Sequence, residues 1–179
     1  SRSWQNGEKG REITSYGLRR LARSDPDRAW RTYQAIESHF DWPDEMRGGI
    51  LREVALWSAV ESLDETPERM RSVPDAYRDG KLVEWWARFD LSRADWADLI
   101  SVIQSMPAEQ KDDSGWRYWD ARARHETGDL DLAREQLGVL ALEASYYGFL
   151  SADRLDFPYT ICPQEPDIDP TEVTGLREQ

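Results

Sequence analysis

Apolar residues along this chain recur three and four positions apart, the spacing of helices that pack through one face. No segment shows the sustained alternation of apolar and polar residues that is typical of a strand. Polar caps, prolines and glycines interrupt the pattern at short intervals. The pattern predicts helices over residues 13–23, 26–39, 42–61, 66–73, 82–89, 96–106, 116–127, 130–144 and 146–155. The sequence therefore predicts an all-α protein made of short helices.

One segment of the pattern returns after 34 residues. A period of about this length is that of one helical hairpin, whose apolar face is covered only when the next hairpin stacks on it. We therefore expect an α-solenoid, a right-handed superhelix of stacked antiparallel hairpins similar to tetratricopeptide repeats, over residues 1–157. The matched pairs are Trp85 and Trp119, Ala87 and Ala121, Arg88 and Arg122, Asp95 and Asp129, Leu99 and Ala133, Ile103 and Leu137, and Met106 and Leu140.

Glycines add detail to two of these helices. Gly48 and Gly49 lie inside the third predicted helix, where each costs about 1 kcal/mol relative to alanine. Close approach of a neighbouring helix would offset that cost, and a bend that serves a ligand is the alternative interpretation. In the second copy of the repeat, Gly128 is expected to end one helix and Asp129 to cap the next.

The chain carries 35 acidic and 23 basic residues, a net charge of −12. This balance argues against nucleic acid or an anionic membrane surface as a partner. No apolar run approaches the roughly 20 residues of a membrane-spanning helix. Cys162 is the single cysteine, so an intrachain disulfide is excluded, and its acidic surroundings favour a thiol without a chemical role.

The two ends of the chain differ from the helical region between them. The sequence opens Ser-Arg-Ser-Trp, with no signal peptide and no visible polar capping repeat. We therefore expect this chain to be the later part of a larger superhelix. Residues 158–179 are rich in proline and acidic residues, which predicts an extended linker.

Two longer motifs stand in the last part of the helical region. Residues 116–123 read Trp-Arg-Tyr-Trp-Asp-Ala-Arg-Ala, and residues 145–155 read Ser-Tyr-Tyr-Gly-Phe-Leu-Ser-Ala-Asp-Arg-Leu, followed by Pro158 and Tyr159. In this order the motifs closely resemble those of the soluble lytic murein transglycosylases. Residues 17–26 resemble the same family more weakly.

Two positions depart from the family pattern. Ser151 stands where the family usually has alanine, and Asp156 stands where glycine is common. The resemblance implies a periplasmic enzyme in which helical hairpins form a superhelix and a separate lysozyme-like domain cleaves the glycan. That domain cuts between N-acetylmuramic acid and N-acetylglucosamine and leaves a 1,6-anhydro end. The implied partners are peptidoglycan glycan strands, bound through the parent enzyme, and other cell-wall proteins.

One glutamate invites a catalytic interpretation. Glu37, in the sequence Glu-Ser-His-Phe-Asp, resembles the Glu-Ser-x-Phe signature of the family's catalytic acid. That signature needs a Gly-Leu-Met-Gln segment shortly downstream, and residues 48–52 read Gly-Gly-Ile-Leu-Arg instead. We therefore predict no catalytic residue in this chain and place Glu37 at a solvent-facing helix end.

Aromatic and arginine side chains are the remaining candidates for a substrate surface. The repeated pairs of Trp and Ala predict large side chains packed beside small ones. Trp86, Trp116 and Tyr147 fit that pattern less well: core packing is the favoured interpretation for each, and stacking on sugar rings at a concave surface is the alternative. Arg122 and Arg154 either pair with carboxylates or helix carbonyls of the chain itself, or bind the peptide carboxylates of peptidoglycan.

No metal or cofactor is predicted. His39 and His125 lie far apart in the sequence and have no metal-type spacing to Cys162. A second class of function stays open, namely a tetratricopeptide-like scaffold that binds peptides in a groove. The repeat length suits this scaffold, but the Gly and Tyr positions of its usual consensus are poorly kept.

Overall fold

The computed structural model describes residues 7–161 of the 179-residue chain. Within that range the secondary structure is helical and contains no strand, which confirms the predicted all-α class. Two short 3₁₀ helices, Glu37–His39 and Asp75–Tyr77, lie between the α-helices. The α-helices of the described residues are α1 (Glu8–Ala22), α2 (Pro26–Ile36), α3 (Asp44–Val60), α4 (Thr66–Ser72), α5 (Gly80–Arg93), α6 (Trp96–Gln104), α7 (Ala108–Lys111), α8 (Ser114–Glu126), α9 (Leu130–Leu140) and α10 (Tyr146–Leu155).

The chain divides into two compact units, Ser1–Lys111 and Asp112–Gln179. The first unit is organised around α3, which contacts α1, α2, α4 and α5. Because neighbours surround it, α3 buries most of its circumference, including Leu51, Ala55 and Leu56. Ile50 and Val54 are also fully buried, whereas Trp57 is half-buried.

The two glycines of α3 have different surroundings. A Cβ atom on Gly48 would overlap the ring of Tyr77, so the expected close approach is confirmed there, and the neighbour is a 3₁₀ helix. A Cβ atom on Gly49 would lie 3.9 Å from the Arg19 guanidinium, which is an ordinary contact. Only the first glycine is therefore required by packing.

The 34-residue repeat corresponds to two helix pairs, α5 with α6 in the first unit and α8 with α9 in the second. Ala87 and Ala121 are both fully buried, and Trp85 and Trp119 pack against the apolar core of their own units. Equivalent positions of the repeat are therefore buried alike in the two units, and the packing of large beside small side chains between hairpins stays a prediction. The later pairs of the repeat are also buried at equivalent places: Leu99 and Ala133, Ile103 and Leu137, Met106 and Leu140.

The second unit consists of α8, α9 and α10 within the described residues. Gly128 has φ +93° and ends the turn after α8, as predicted. Asp129 occupies the N-cap position of α9, but its side chain makes no capping bond and instead accepts a hydrogen bond from Arg124 Nη1 at 3.3 Å. The position of the cap residue was thus predicted correctly. The prediction that its side chain bonds to the first turn of α9 was wrong.

Helix α9 ends at Leu140, so the predicted extension to residue 144 was wrong. The reason is the start of α10, where Ser145 is extended and its hydroxyl accepts a hydrogen bond from Gly148 N at 3.0 Å. Gly148 also lies directly on the carbonyl groups of Leu140 and Glu143, and a Cβ atom there would overlap the Glu143 oxygen. The chain must leave the helix before Ser145 to allow this contact.

Candidate functional site

A cavity of about 310 Å³ opens among α8, α9 and α10 of the second unit. Among residues 7–161, none of those that line it carries a carboxylate, although the chain as a whole has an excess of acidic residues. Its cationic or ionisable lining residues are Arg122, His125, Arg134 and Arg154. Its apolar lining residues are Leu130, Ala133, Leu137 and Leu155.

Helix α9 supplies the apolar wall of this cleft. Leu130, Ala133 and Leu137 are spaced three and four residues apart, so they share one face of the helix. In the first copy of the repeat the position of Ala133 is held by Leu99, which fills its place completely. The smaller side chain leaves room for a cavity at this position. Arg134 follows Ala133 directly and brings its guanidinium to the same cleft.

Arg154 is held in place by an aromatic residue. Its Nε donates a hydrogen bond to the hydroxyl of Tyr118 at 2.6 Å, and its Cζ lies 5.7 Å from the centre of that ring. Tyr118 is buried and packs against Trp119 and Tyr147, with ring centroids 5.4 and 5.5 Å away. Because the phenol engages only Nε, the two terminal nitrogens of Arg154 have no protein partner among residues 7–161.

Arg122 and Arg134 differ in how far they are neutralised. Arg122 forms an ion pair with Glu126 one helical turn away, and it lies 3.5 Å from His125 Nδ1. Arg122 therefore has a carboxylate partner within its own helix. Arg134 is exposed, and no ion pair or hydrogen bond of its guanidinium occurs within the described part of the chain. Arg134 therefore adds a positive charge that those residues leave uncompensated.

A second hollow of about 600 Å³ is lined by arginines of α1 in the first unit. Arg19, Arg20 and Arg23 lie there with the exposed ring of Tyr16, and Arg23 forms an ion pair with Glu53 at 3.5 Å. Arginines in the last turn of a helix also interact favourably with the partial negative charge at its C-terminus. This hollow has no aliphatic wall, which distinguishes it from the cleft of the second unit.

The predicted surface residues do not form a single site. Arg122 and Arg154 line the same cleft, and Tyr147 supports it from behind through Tyr118. Trp86 belongs to the first unit, where it packs against the core with the Arg78 guanidinium 5.9 Å from its ring. Trp116 is half-buried in the first turn of α8 and is not among the residues that line the cleft.

Three residues were missed as candidates: His125 and Arg134, which line the cleft, and Tyr118, which holds Arg154. The sequence offered a signal for two of them. His125 lies three residues after Arg122 and therefore on the same side of α8. Arg134 adjoins Ala133, the position where the repeat changes from a large to a small apolar residue. The hydrogen bond from Arg154 to Tyr118 spans 36 residues, and no local pattern indicates it.

Glu37 lies in the 3₁₀ turn that follows α2, so its predicted place at a helix end is confirmed. It accepts a hydrogen bond from the Tyr33 hydroxyl at 2.7 Å and forms an ion pair with Arg47 at 3.1 Å. Burial raises the pKa of the Tyr33 hydroxyl to about 12, and the hydrogen bond to Glu37 acts in the same direction. Glu37 is thus held by a phenol and a guanidinium.

The described residues form neither a metal site nor a membrane-spanning helix. Between residues 7 and 161, no group of three or more His, Cys, Asp or Glu side chains is placed to hold a metal ion. No helix of that range combines the length and the apolar character needed to cross a bilayer. Cys162 and most of the predicted linker lie outside the described residues.

The sequence is similar to that of known cell-wall enzymes. No protein-family model matches the chain. The soluble lytic murein transglycosylase of Escherichia coli is 28% identical over 138 residues, which are 72% of this chain and 21% of that protein. The protein of the same name from Salmonella typhimurium is 28% identical over 121 residues, 66% of this chain and 19% of that protein. The chain spans about a fifth of the length of these relatives.

Solved structures show the same likeness. The lytic transglycosylase Slt of Pseudomonas aeruginosa, determined as an inactive mutant, is 28% identical with a TM-score of 0.82 over 98% of this chain and 29% of its own. The resemblance to the soluble lytic murein transglycosylases is confirmed. The fold of the 70 kDa soluble lytic transglycosylase of Escherichia coli matches 92% of this chain and 26% of its own, at 22% identity and a TM-score of 0.68. Likeness to these lytic transglycosylases also confirms the predicted α-solenoid class.

The motifs that resemble lytic transglycosylases contribute two of the arginines that line the cleft. Residues 116–123 supply Tyr118 and Arg122, and residues 145–155 supply Gly148 and Arg154. The glycine is required by its contact with backbone carbonyls, and the tyrosine holds the arginine. The motif thus encodes both the junction of two helices and one wall of the cavity.

Proposed function

We propose that this chain is an accessory α-solenoid region of a lytic transglycosylase that acts on peptidoglycan. In this proposal residues 1–157 form the helical region, residues 158–179 a linker, and the glycan is cleaved by another domain of the polypeptide. The parent enzyme would work in the periplasm on glycan strands, with other cell-wall proteins as further partners. The observation that carries the proposal is the 28% identity with a soluble lytic murein transglycosylase over 72% of this chain.

The carboxylates of the described residues support an accessory role rather than a catalytic one. Glycosidic bond cleavage by an acid requires a carboxyl group with a raised pKa that also reaches the substrate. Burial, helped by Asp98 and Asp95, raises the pKa of Asp90 to about 8, but Asp90 is 1% exposed and lines neither cavity described above. Glu37 reaches solvent, and it is occupied by Arg47 and Tyr33.

Purified murein sacculi test the proposal. The 179-residue chain is mixed with sacculi, and three quantities are followed: the fraction of chain in the pellet, the turbidity, and the release of 1,6-anhydro muropeptides. We expect the chain to sediment with the sacculi, with turbidity unchanged and no product released. The soluble lytic murein transglycosylase of Escherichia coli serves as the positive control for clearing.

Two outcomes contradict the proposal in different ways. Clearing of the suspension by the chain alone would show that cleavage resides in these residues, and the Glu37→Gln variant would then test the acid. A chain that stays in the supernatant, yet retains a peptide partner in a pull-down, would favour the tetratricopeptide-like scaffold.

A further inference from the structure

We propose that the arginine-lined cleft of the second unit binds the terminal carboxylate of a short peptide that ends in a small aliphatic residue. The inference rests on the proposed function, under which the ligand is the stem peptide of peptidoglycan. It goes further by assigning the ligand class, the cavity and the side chains that recognise it. Three observations support it: the charge of the lining, its apolar wall, and the fixed position of one arginine.

The charge of the lining selects an anion. Arg122, Arg134 and Arg154 line a single cavity to which the described part of the chain contributes no carboxylate, although the net charge of the chain is −12. Glu126 neutralises Arg122, whereas Arg134 and the terminal nitrogens of Arg154 have no carboxylate partner among the residues described. Guanidinium groups bind carboxylates through paired, charge-assisted hydrogen bonds. An incoming carboxylate would supply the partner that these residues lack.

The apolar wall and the size of the cavity limit what carries the anion. Leu130, Ala133 and Leu137 present a strip of aliphatic surface beside the arginines. A volume of about 310 Å³ lies at the lower end of the usual range for ligand pockets and suits one or two small residues. Inorganic phosphate would leave this strip uncovered, and a long polyanion would meet the repulsion of the acidic chain. A carboxylate would contact the arginines, and a methyl group beside it would contact the aliphatic strip.

Tyr118 acts as a positioning residue for Arg154. Its hydroxyl accepts the Nε hydrogen bond at 2.6 Å, and its ring is fixed by Trp119 and Tyr147. An arginine held in this way loses little side-chain freedom when it binds a ligand, which favours affinity. The Tyr118→Phe variant keeps the ring and removes only the hydrogen bond.

Binding of a small peptide tests the inference. N-acetyl-D-alanyl-D-alanine and its C-terminal amide are titrated into the 179-residue chain, and affinity is measured by calorimetry. The acid should bind at least about tenfold more tightly than the amide, because the amide loses the charge-assisted bonds. Arg134→Gln and Arg154→Gln should each weaken acid binding by about five- to tenfold, and Tyr118→Phe by a smaller factor, without changing the affinity for the amide.

Arg20→Gln is the matched control, since Arg20 lies in the other arginine-lined hollow. It should leave acid binding unchanged. Because the comparison of acid with amide uses the unaltered chain, it remains decisive even if a cleft variant fails to fold. Equal affinities for acid and amide would overturn the inference, and so would inorganic phosphate that binds as tightly as the acid.

The sedimentation assay separates failure of the inference from failure of the proposed function. If the chain sediments with murein but does not prefer the peptide acid, the carboxylate site is wrong and the accessory role stands. If the chain prefers the acid but does not sediment with murein, the accessory role is wrong and the cleft remains a carboxylate site.

Discussion

Asp90 is a buried carboxyl group with an unusual environment. It is 1% exposed, and its Oδ2 atom has no hydrogen-bond partner among the described residues. Burial raises the pKa of this group to about 8, and the charges of Asp98 and Asp95 act in the same direction, while Arg71 opposes them. The Asp90 carboxyl is therefore mostly protonated at neutral pH.

The stability of the fold should depend on pH through Asp90. In the unfolded chain its pKa is about 3.9, so the folded state holds the proton more tightly. This contribution is complete below pH about 4 and is lost as the pH rises to about 8, by about 1.4 kcal/mol per pH unit. Asp90→Asn should remove this slope and be more stable than the parent at pH 8, as measured by urea denaturation at pH 5, 6.5 and 8.

The exposed Asp112 provides the control for this prediction. Asp112→Asn should keep the slope of the parent chain. An unchanged slope in Asp90→Asn would show that the carboxyl group is hydrated or paired in solution.

At the scale of residues, the sequence predicts the burial of repeated apolar positions better than the surroundings of single polar side chains. The small size of Ala87 and Ala121 and their shared burial follow from the repeat, because equivalent positions pack in equivalent ways. Asp90 has no such signal, because a carboxyl group within a helical pattern gives no indication that it is buried. The place of Arg154 likewise depends on a hydrogen bond to Tyr118, which only the tertiary fold brings near.

At the scale of elements, two adjacent glycines of α3 are expected to respond in opposite ways to substitution by alanine. Gly48→Ala should lower the free energy of unfolding by about 1–3 kcal/mol, because the new methyl group would overlap the Tyr77 ring. Gly49→Ala should raise it by up to about 1 kcal/mol, because a helix gains from alanine where space allows. Chemical denaturation of the two variants under the same conditions checks the prediction. Similar changes in both would mean that Tyr77 is free to move away.

Helix starts were easier to predict than helix ends and burial. Pro26 and Ser145 begin helices where local chemistry places them, through a ring with fixed φ and a hydroxyl cap. Helix α9 ends earlier than its apolar spacing indicates, because the packing of α10 determines the last turn. The broad burial of α3 comes from four neighbouring helices, whereas periodicity reports a single face.

At the scale of the whole molecule, the net charge of −12 opposes compaction. Raising NaCl from about 20 mM to about 300 mM should therefore raise the melting temperature by a few degrees, because salt screens repulsion between like charges. Calorimetry at pH 7 measures the effect. The control is the same series near pH 4.6, the isoelectric point expected from composition, where the effect should nearly vanish. A melting temperature that falls with salt at pH 7 would show that ion pairs outweigh repulsion.

The junction of α9 and α10 is closed by main-chain atoms, with Gly148 lying against two carbonyl groups. A substitution at a surrounding position can be compensated by a second substitution in a neighbouring side chain. At Gly148 this is impossible, because the atoms that a larger residue would meet belong to the backbone. We therefore expect surrounding positions to vary among relatives more readily than this glycine. A search for distant relatives is therefore best anchored on this glycine and its spacing to the arginine that follows it.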